Sequence, residues 1–198
     1  MHGNRIRNRG YLPHWESEGG IYFVTFRLAD SLPQSVVREL RRTELVKPKE
    51  GQRLARKLED SLDKGAGSCI LRQPRIADIA AAALREFEGD RYRLLAWSVM
   101  PNHVHVVFQP LGESDLAGIL HARKSFIGVE INRQLSRSGP LWQKEYYDHL
   151  IRNGEQLKRA VRYTVENPLR AGMKKWPYVY ASAEAFGGPA KVDIAKSQ

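Results

Sequence analysis

The chain has 198 residues, 42% of them hydrophobic, enough for one ordinary domain with an elaboration and a real core. Its 32 Lys and Arg against 22 Asp and Glu leave a net charge of +10. That surplus points to a polyanion, nucleic acid before membrane, because no long apolar span or basic amphipathic helix is evident. A single cysteine, Cys69, excludes an internal disulfide framework and a Cys-rich zinc site, and the N-terminus lacks a hydrophobic signal core, so the expected location is the cytoplasm.

In chain order, residues 1–15 carry Arg5, Arg7 and Arg9 among Gly, Asn and Pro without periodicity, and read as a basic arm that lies along a phosphate backbone or stays a solvated tail. The main domain is expected over residues 16–183. Ile21 to Leu28 is a strand, with Tyr22, Val24, Phe26 and Leu28 on an apolar face and Ile21, Phe23, Thr25 and Arg27 on a mixed one. Leu32, Val36, Val37, Leu40 and Leu45 recur at helical spacing after Ser31 and Pro33. A charged insertion, 47–68, holds Arg53, Arg56, Lys57 and Lys64 on an exposed helix, and Gly65 and Gly67 break it. From Pro74, the spacing of Ile76, Ile79, Ala80, Ala83, Leu84 and Phe87 predicts a packed crossover helix ending at Gly89.

Tyr92 to Met100 is the next strand, and the tight turn Pro101-Asn102 makes an antiparallel hairpin with the run His103-Val104-His105-Val106-Val107-Phe108. In that run the two histidines share one face while Val104, Val106 and Phe108 share the other. Two neutral imidazoles side by side suit a divalent metal, with a third ligand from elsewhere. Ser114 to Leu135 is a helix with Leu116, Ile119, Leu120, Ile127, Ile131 and Leu135 on its core stripe; Arg123, Lys124 and Arg133 off the stripe serve phosphate contact or solvation. Gly139-Pro140 ends it, and Trp142 to Ile151 reads as the last strand. The order β, α, β, β, α, β is that of an α+β, ferredoxin-like antiparallel sheet with helices on one face, leaving the other face free for His103 and His105. A further helix, Asn153 to Asn167, sets Tyr163 and Asn167 one turn apart on one face, and Pro168 is expected to end it at Asn167 and free that amide. The tail from 184 to 198 reads as disordered.

His103-Val104-His105 resembles the His-hydrophobe-His motif of HUH endonucleases, and Tyr163-x-x-x-Asn167-Pro168-x-Arg170-Ala171-Gly172 resembles the tyrosine motif of REP-associated tyrosine transposases, the IS200-like Y1 group. The same family is met in Tyr22-Phe23-Val24-Thr25-Phe26-Arg27, Met100-Pro101-Asn102, Lys124-Ser125-Phe126, Leu141-Trp142-Gln143 and Tyr146-Tyr147-Asp148, so the resemblance covers roughly residues 11–183. One position departs from many IS200 relatives, which have Gln four residues after the tyrosine where this chain has Asn167. The resemblance implies an HUH endonuclease core with a C-terminal helix carrying the tyrosine. It implies a single-strand DNA endonuclease and strand transferase in which Tyr163 attacks phosphorus to give a 5′-phosphotyrosine link. His103, His105 and Asn167 would then hold Mg²⁺ or Mn²⁺. The substrate would be single-stranded DNA with a hairpin, of the REP or BIME kind, met at the nucleoid by a monomer or a homodimer. Candidate DNA contacts are Arg5, Arg7, Arg9, Arg27, Arg123, Lys124, Trp142 and Arg170. The competing reading is a non-catalytic single-strand-binding module of the same fold.

Overall fold

The computed structural model describes residues 5–8, 13–17, 19–32, 62 and 65–186. Strands β1 (Arg5–Asn8) and β2 (Pro13–Glu16) pair antiparallel as a small sheet of their own. The main sheet is antiparallel throughout: β3 (Ile21–Arg27), β4 (Tyr92–Val99), β5 (His103–Pro110), β6 (Tyr147–Ile151) and β7 (Val179–Ala181), in the order β6-β3-β5-β4-β7. Three helices longer than one turn accompany it among the described residues: α1 (Pro74–Arg85), α2 (Leu116–Gln134) and α3 (Gly154–Arg170). From β3 to β6 the chain order and the spatial order β6-β3-β5-β4 are the ferredoxin-like arrangement expected. Strand β7 was not anticipated and extends the sheet past β4.

Alternation sorts the strands' side chains into two layers. Tyr22, Val24 and Phe26 of β3, Val104, Val106 and Phe108 of β5, and Leu94, Trp97 and Val99 of β4 share a core with α1 and α2. Helix α1 contributes Ile76, Ala77, Ala80, Ala83 and Leu84; α2 contributes Leu116, Ile119, Leu120, Ile127 and Ile131. Both stripes are those the periodicity marked. The opposite layer is smaller, with Phe23, Leu95, Ala96, Val107, Ile151 and Ala181 packed around Val161 of α3. A bulge between Leu94 and Ala96 shifts the β4–β5 register, which lets Leu95 and Ala96 face this second layer together.

Helix α3 therefore covers the sheet face that the β, α, β, β, α, β order by itself leaves free. Its start is capped reciprocally: Asn153 Oδ1 accepts from Gln156 N at 2.9 Å, and Gln156 Oε1 accepts from Arg152 N at 2.9 Å. Its end corrects the expectation at Pro168, because the helix runs through Asn167 to Arg170 with Pro168 inside it. A proline this near the terminus removes a single intrahelical donor. The last turn is then held by Met173 N to Pro168 O at 2.8 Å and Gly172 N to Leu169 O at 3.0 Å. Gly172, at φ +77°, takes the left-handed conformation that this closure requires.

Other boundaries move as well. The basic arm is not without structure, since backbone pairing of β1 with β2 needs no side-chain periodicity. The strand expected over 142–151 is confined to β6, with Trp142 joined to Leu28 by one isolated bridge. The expected tail begins too early: Ala183–Phe186 forms a 3-10 turn, and Ala185 is buried in the second layer. The helix over 32–45, most of the insertion 47–68 and the tail beyond 186 lie outside the described residues. Among those described, no helix is long and apolar enough to cross a membrane.

Candidate active site

The β5 histidines face α3, as the alternation places them. Register sets Thr25 of β3 opposite His105 and Arg27 opposite His103, and Ser98 of β4 lies opposite His105 from the other side. Both imidazoles are 1% exposed. Their Nε2 atoms face each other at 2.9 Å, while each Nδ1 has a partner of its own: Asn102 Oδ1 for His103 at 2.7 Å and Thr25 Oγ1 for His105 at 2.8 Å.

The proton positions in this chain follow from its far end. Asn102 Nδ2 donates to the carbonyls of Leu62 (3.1 Å) and Ala66 (2.9 Å), so its Oδ1 is the acceptor. His103 Nδ1 must then donate to Asn102, which leaves the lone pair of His103 on Nε2. His105 Nε2 donates to that lone pair, and the Thr25 hydroxyl donates to His105 Nδ1. A hydroxyl can equally accept, so Thr25 tolerates the other His105 tautomer, which presents Nε2 as a lone pair. Burial pushes the His105 pKa down to about 3. Burial, and then the neighbouring His105, hold His103 well below its usual range. Neutral imidazoles are what a metal ion requires of this pair.

Helix α3 brings the second half of the site. The Tyr163 ring meets His105 edge to face, with centroids 5.3 Å apart, and meets Phe23 at 5.7 Å. Phe23 in turn stacks on His105 at 5.5 Å and 21°, so one phenylalanine braces both the imidazole and the phenol. One helical turn on, Asn167 is fully buried, and neither Oδ1 nor Nδ2 has a hydrogen-bond partner. An amide left this way costs about 1–3 kcal/mol, which marks it for a ligand.

These donors fit a hard divalent ion. Among the described residues, no three His, Cys, Asp or Glu side chains form a cation site. A neutral oxygen can serve as the further protein ligand of a metal at the histidine pair, and Asn167 has one without a hydrogen-bond partner, one helical turn from Tyr163. Two imidazoles and an amide oxygen suit an ion that keeps other positions for water or phosphate oxygens, such as Mg²⁺ or Mn²⁺.

The expected DNA contacts separate into different groups. Arg123 is a buried structural clamp: its Nη1 donates to Ala83 O (3.1 Å) and Glu86 Oε2 (2.8 Å), and its guanidinium lies over Phe87. Lys124 is likewise committed, donating to the carbonyls of Gln143 (2.9 Å) and Lys144 (3.0 Å), with burial lowering its pKa to about 8. Trp142, expected as a stacking platform, is only 8% exposed; its ring packs on Phe26 and its Nε1 donates to Lys124 O. All three therefore have structural roles that the sequence did not assign, in burial or in bonds to backbone carbonyls. Arg27 is buried on the site face opposite His103. Arg170 is half exposed, with its guanidinium carbon 5.4 Å from the Tyr163 ring centre. Arg5 and Arg7 occupy positions in β1, and Arg9 lies outside the described residues. Three site residues carried no assigned role in the sequence: Thr25, Asn102 and Phe23. Their signal was present in the alternation of β3 and in an amide adjoining His103.

Residues 71–167 match the family model described as "Transposase IS200 like". The REP-associated tyrosine transposase of Escherichia coli K12 is 29% identical over 122 residues, covering 57% of this chain and 69% of that one. A provisionally named REP-associated tyrosine transposase of Haemophilus influenzae is 27% identical over 117 residues, covering 52% of this chain and 66% of that one. The chain thus spans about two thirds of the length of these curated relatives. A solved REP-associated tyrosine transposase, bound to a REP hairpin, shares the fold at a TM-score of 0.52 and 20% identity, covering 87% of this chain and 80% of that one.

Proposed function

From the premise that this chain belongs to the IS200-like transposase family, we propose that it cleaves and rejoins single-stranded DNA beside a hairpin of the REP kind, with Tyr163 as nucleophile. The observation that carries this reading is the meeting of Tyr163 with His105 within one chain, on a sheet face whose two histidines are kept neutral by burial and oriented by Thr25 and Asn102. Relatives named REP-associated tyrosine transposases, and a fold shared with one bound to a REP hairpin, support the choice of substrate.

The phenol oxygen of Tyr163 attacks the scissile phosphorus. An oxygen–phosphorus bond forms to tyrosine as the bond to the DNA 3′-oxygen breaks; the phenol loses its proton and the departing oxygen gains one. The product is a 5′-phosphotyrosine and a free 3′-OH, and because the link is still a phosphodiester, a 3′-OH can attack it to rejoin DNA without ATP. His103, His105 and Asn167 would hold Mg²⁺ or Mn²⁺, which when bound would neutralise charge on the scissile phosphate. Thr25 and Asn102 fix the imidazole rings and Phe23 fixes the angle between His105 and Tyr163. Nucleophile and histidines meet within one chain, which supports a site that a monomer can complete.

The test is a denaturing gel of the protein incubated with Mn²⁺ and labelled single-stranded hairpin DNA from around its own gene. A labelled protein band that survives denaturation and is absent in Tyr163→Phe is the expected result. Cleavage without that band would make the enzyme a hydrolase using water. Binding with neither cleavage nor adduct would favour the single-strand-binding module, a reading already weakened by the burial of Trp142.

A further inference from the structure

Around Tyr163 the outer surface of α3 carries a ladder of charge. Arg162 Nε lies 4.0 Å from Glu166 Oε1, and Arg170 Nη2 lies 3.3 Å from Glu166 Oε2. Two guanidinium groups share one carboxylate, so the ladder has one positive charge in excess. Only one of the two arginines also lies over the Tyr163 ring, and that is Arg170, at 5.4 Å from its guanidinium carbon to the ring centre.

The ring contact separates Arg170 from Arg162, and accessibility separates it from Arg123, Lys124 and Arg27. Arg123 is buried with its Nη1 on Ala83 O and Glu86, Lys124 donates to the carbonyls of Gln143 and Lys144, and Arg27 is buried within the sheet. The Arg170 side chain is 53% exposed, and its contact to Glu166 is long for a charge-assisted hydrogen bond and open to water. A phosphate offers such a guanidinium two oxygens in the fork geometry it prefers, in exchange for one distant carboxylate oxygen.

We propose that Arg170 is a phosphate-binding residue of the cleavage step, releasing Glu166 to grip the scissile phosphate beside Tyr163 and holding it after the phosphotyrosine forms. This rests on the reading of Tyr163 as nucleophile. Arg170 then approaches the phosphate from the helix while the histidine pair serves it from the sheet, and neither group duplicates the other. Glu166 keeps the guanidinium over the ring until DNA arrives.

Single-turnover adduct formation on labelled hairpin DNA with Mn²⁺ tests this in the full chain, comparing the parent with Arg170→Gln, Arg170→Lys and Arg162→Gln. Arg170→Gln is expected to lower the maximal rate on the order of 100-fold, while the DNA concentration at half-maximal rate changes less than about threefold. Arg170→Lys keeps the charge and loses the fork, and is expected to fall between Arg170→Gln and the parent. Arg162→Gln, on the same ladder but away from the ring, is expected to stay within about twofold. Thermal unfolding of each variant accompanies the rates, and if Arg170→Gln is unstable the ratio of Arg170→Lys to parent decides. A Tyr163-dependent adduct formed equally fast without Arg170, or equal losses at Arg162 and Arg170, overturns this inference and leaves the nucleophile standing. No adduct from the parent removes both.

Discussion

On the α1 and α2 face of the sheet, Val24, Phe26, Val104, Val106 and Trp97 meet two helices almost entirely through carbon. The same three strands, one residue out of step, bury Thr25, Ser98, His103 and His105 beneath α3, which adds Thr164 and Asn167. The first face gains stability from every residue it hides. The second hides polar atoms, and several of them, including Ser98 Oγ and both amide atoms of Asn167, have no partner. A sheet that spends one face on a site must therefore be held together mainly by the other, and substitutions on the two faces should fail in different assays.

The largest contrast is expected at His105. His105→Gln should lower cleavage about a thousandfold or more, since on the proposed mechanism several kcal/mol of charge stabilisation would depend on that imidazole. Its unfolding free energy should change far less than that of the next variant. Phe26→Ala, on the carbon face, should cost about 3–5 kcal/mol in urea unfolding, because a buried ring packed on Trp142 is replaced by a cavity. Activity per folded molecule should persist at temperatures where the variant is still native. If Phe26→Ala were as stable as the parent, or His105→Gln as active, the division of labour between the faces would be wrong.

Acid sharpens the same comparison. Both histidines are neutral in the fold and protonate near pH 6.5 once unfolded, with the folded His105 lowered to about 3 and His103 lowered too. The unfolded chain therefore binds more protons below pH 6.5. Stability is complete above that value and falls as pH drops towards about 3, at about 1.4 kcal/mol per pH unit for each histidine. Urea midpoints at pH 7 and pH 5 check this, and replacing both histidines by Gln should flatten the dependence. A parent and a double variant with the same slope would show that this face carries no such charge penalty.

The smallest effect has the opposite sign. Asn167→Leu keeps the heavy-atom count and branching and removes two unpartnered polar atoms, so the protein should be unchanged or more stable by about 1 kcal/mol, while the proposed metal-dependent cleavage should decline. Loss of stability comparable to Phe26→Ala would mean that the amide already has a structural partner.

Much of the site was legible because strand and helix periods are short-range geometry. The alternation of Thr25, Arg27, His103 and His105 and the one-turn spacing of Tyr163 and Asn167 follow from backbone periods alone. The roles of Arg123, Lys124 and Trp142 were not legible: a cation in sequence looks the same whether it meets phosphate or a carbonyl, and that choice is made by residues 18 to 40 positions away. The end of α3 was misjudged for a related reason. Pro168 acts locally against the helix, and the closure by Gly172 and Met173 outweighs it.

By itself, then, the sequence determined which residues share a face, where the two histidines and the tyrosine sit on their elements, and the surplus of +10 that points to a polyanion. Only the tertiary structure decided that α3 lies on the histidine face, that Tyr163 meets His105 of its own chain, and that Asn102 and Thr25 orient the imidazoles. Period and charge are properties of neighbouring residues. Which surfaces meet depends on contacts between segments distant in sequence, and the second layer's Phe23, Leu95, Val107 and Val161 are brought together by the fold alone.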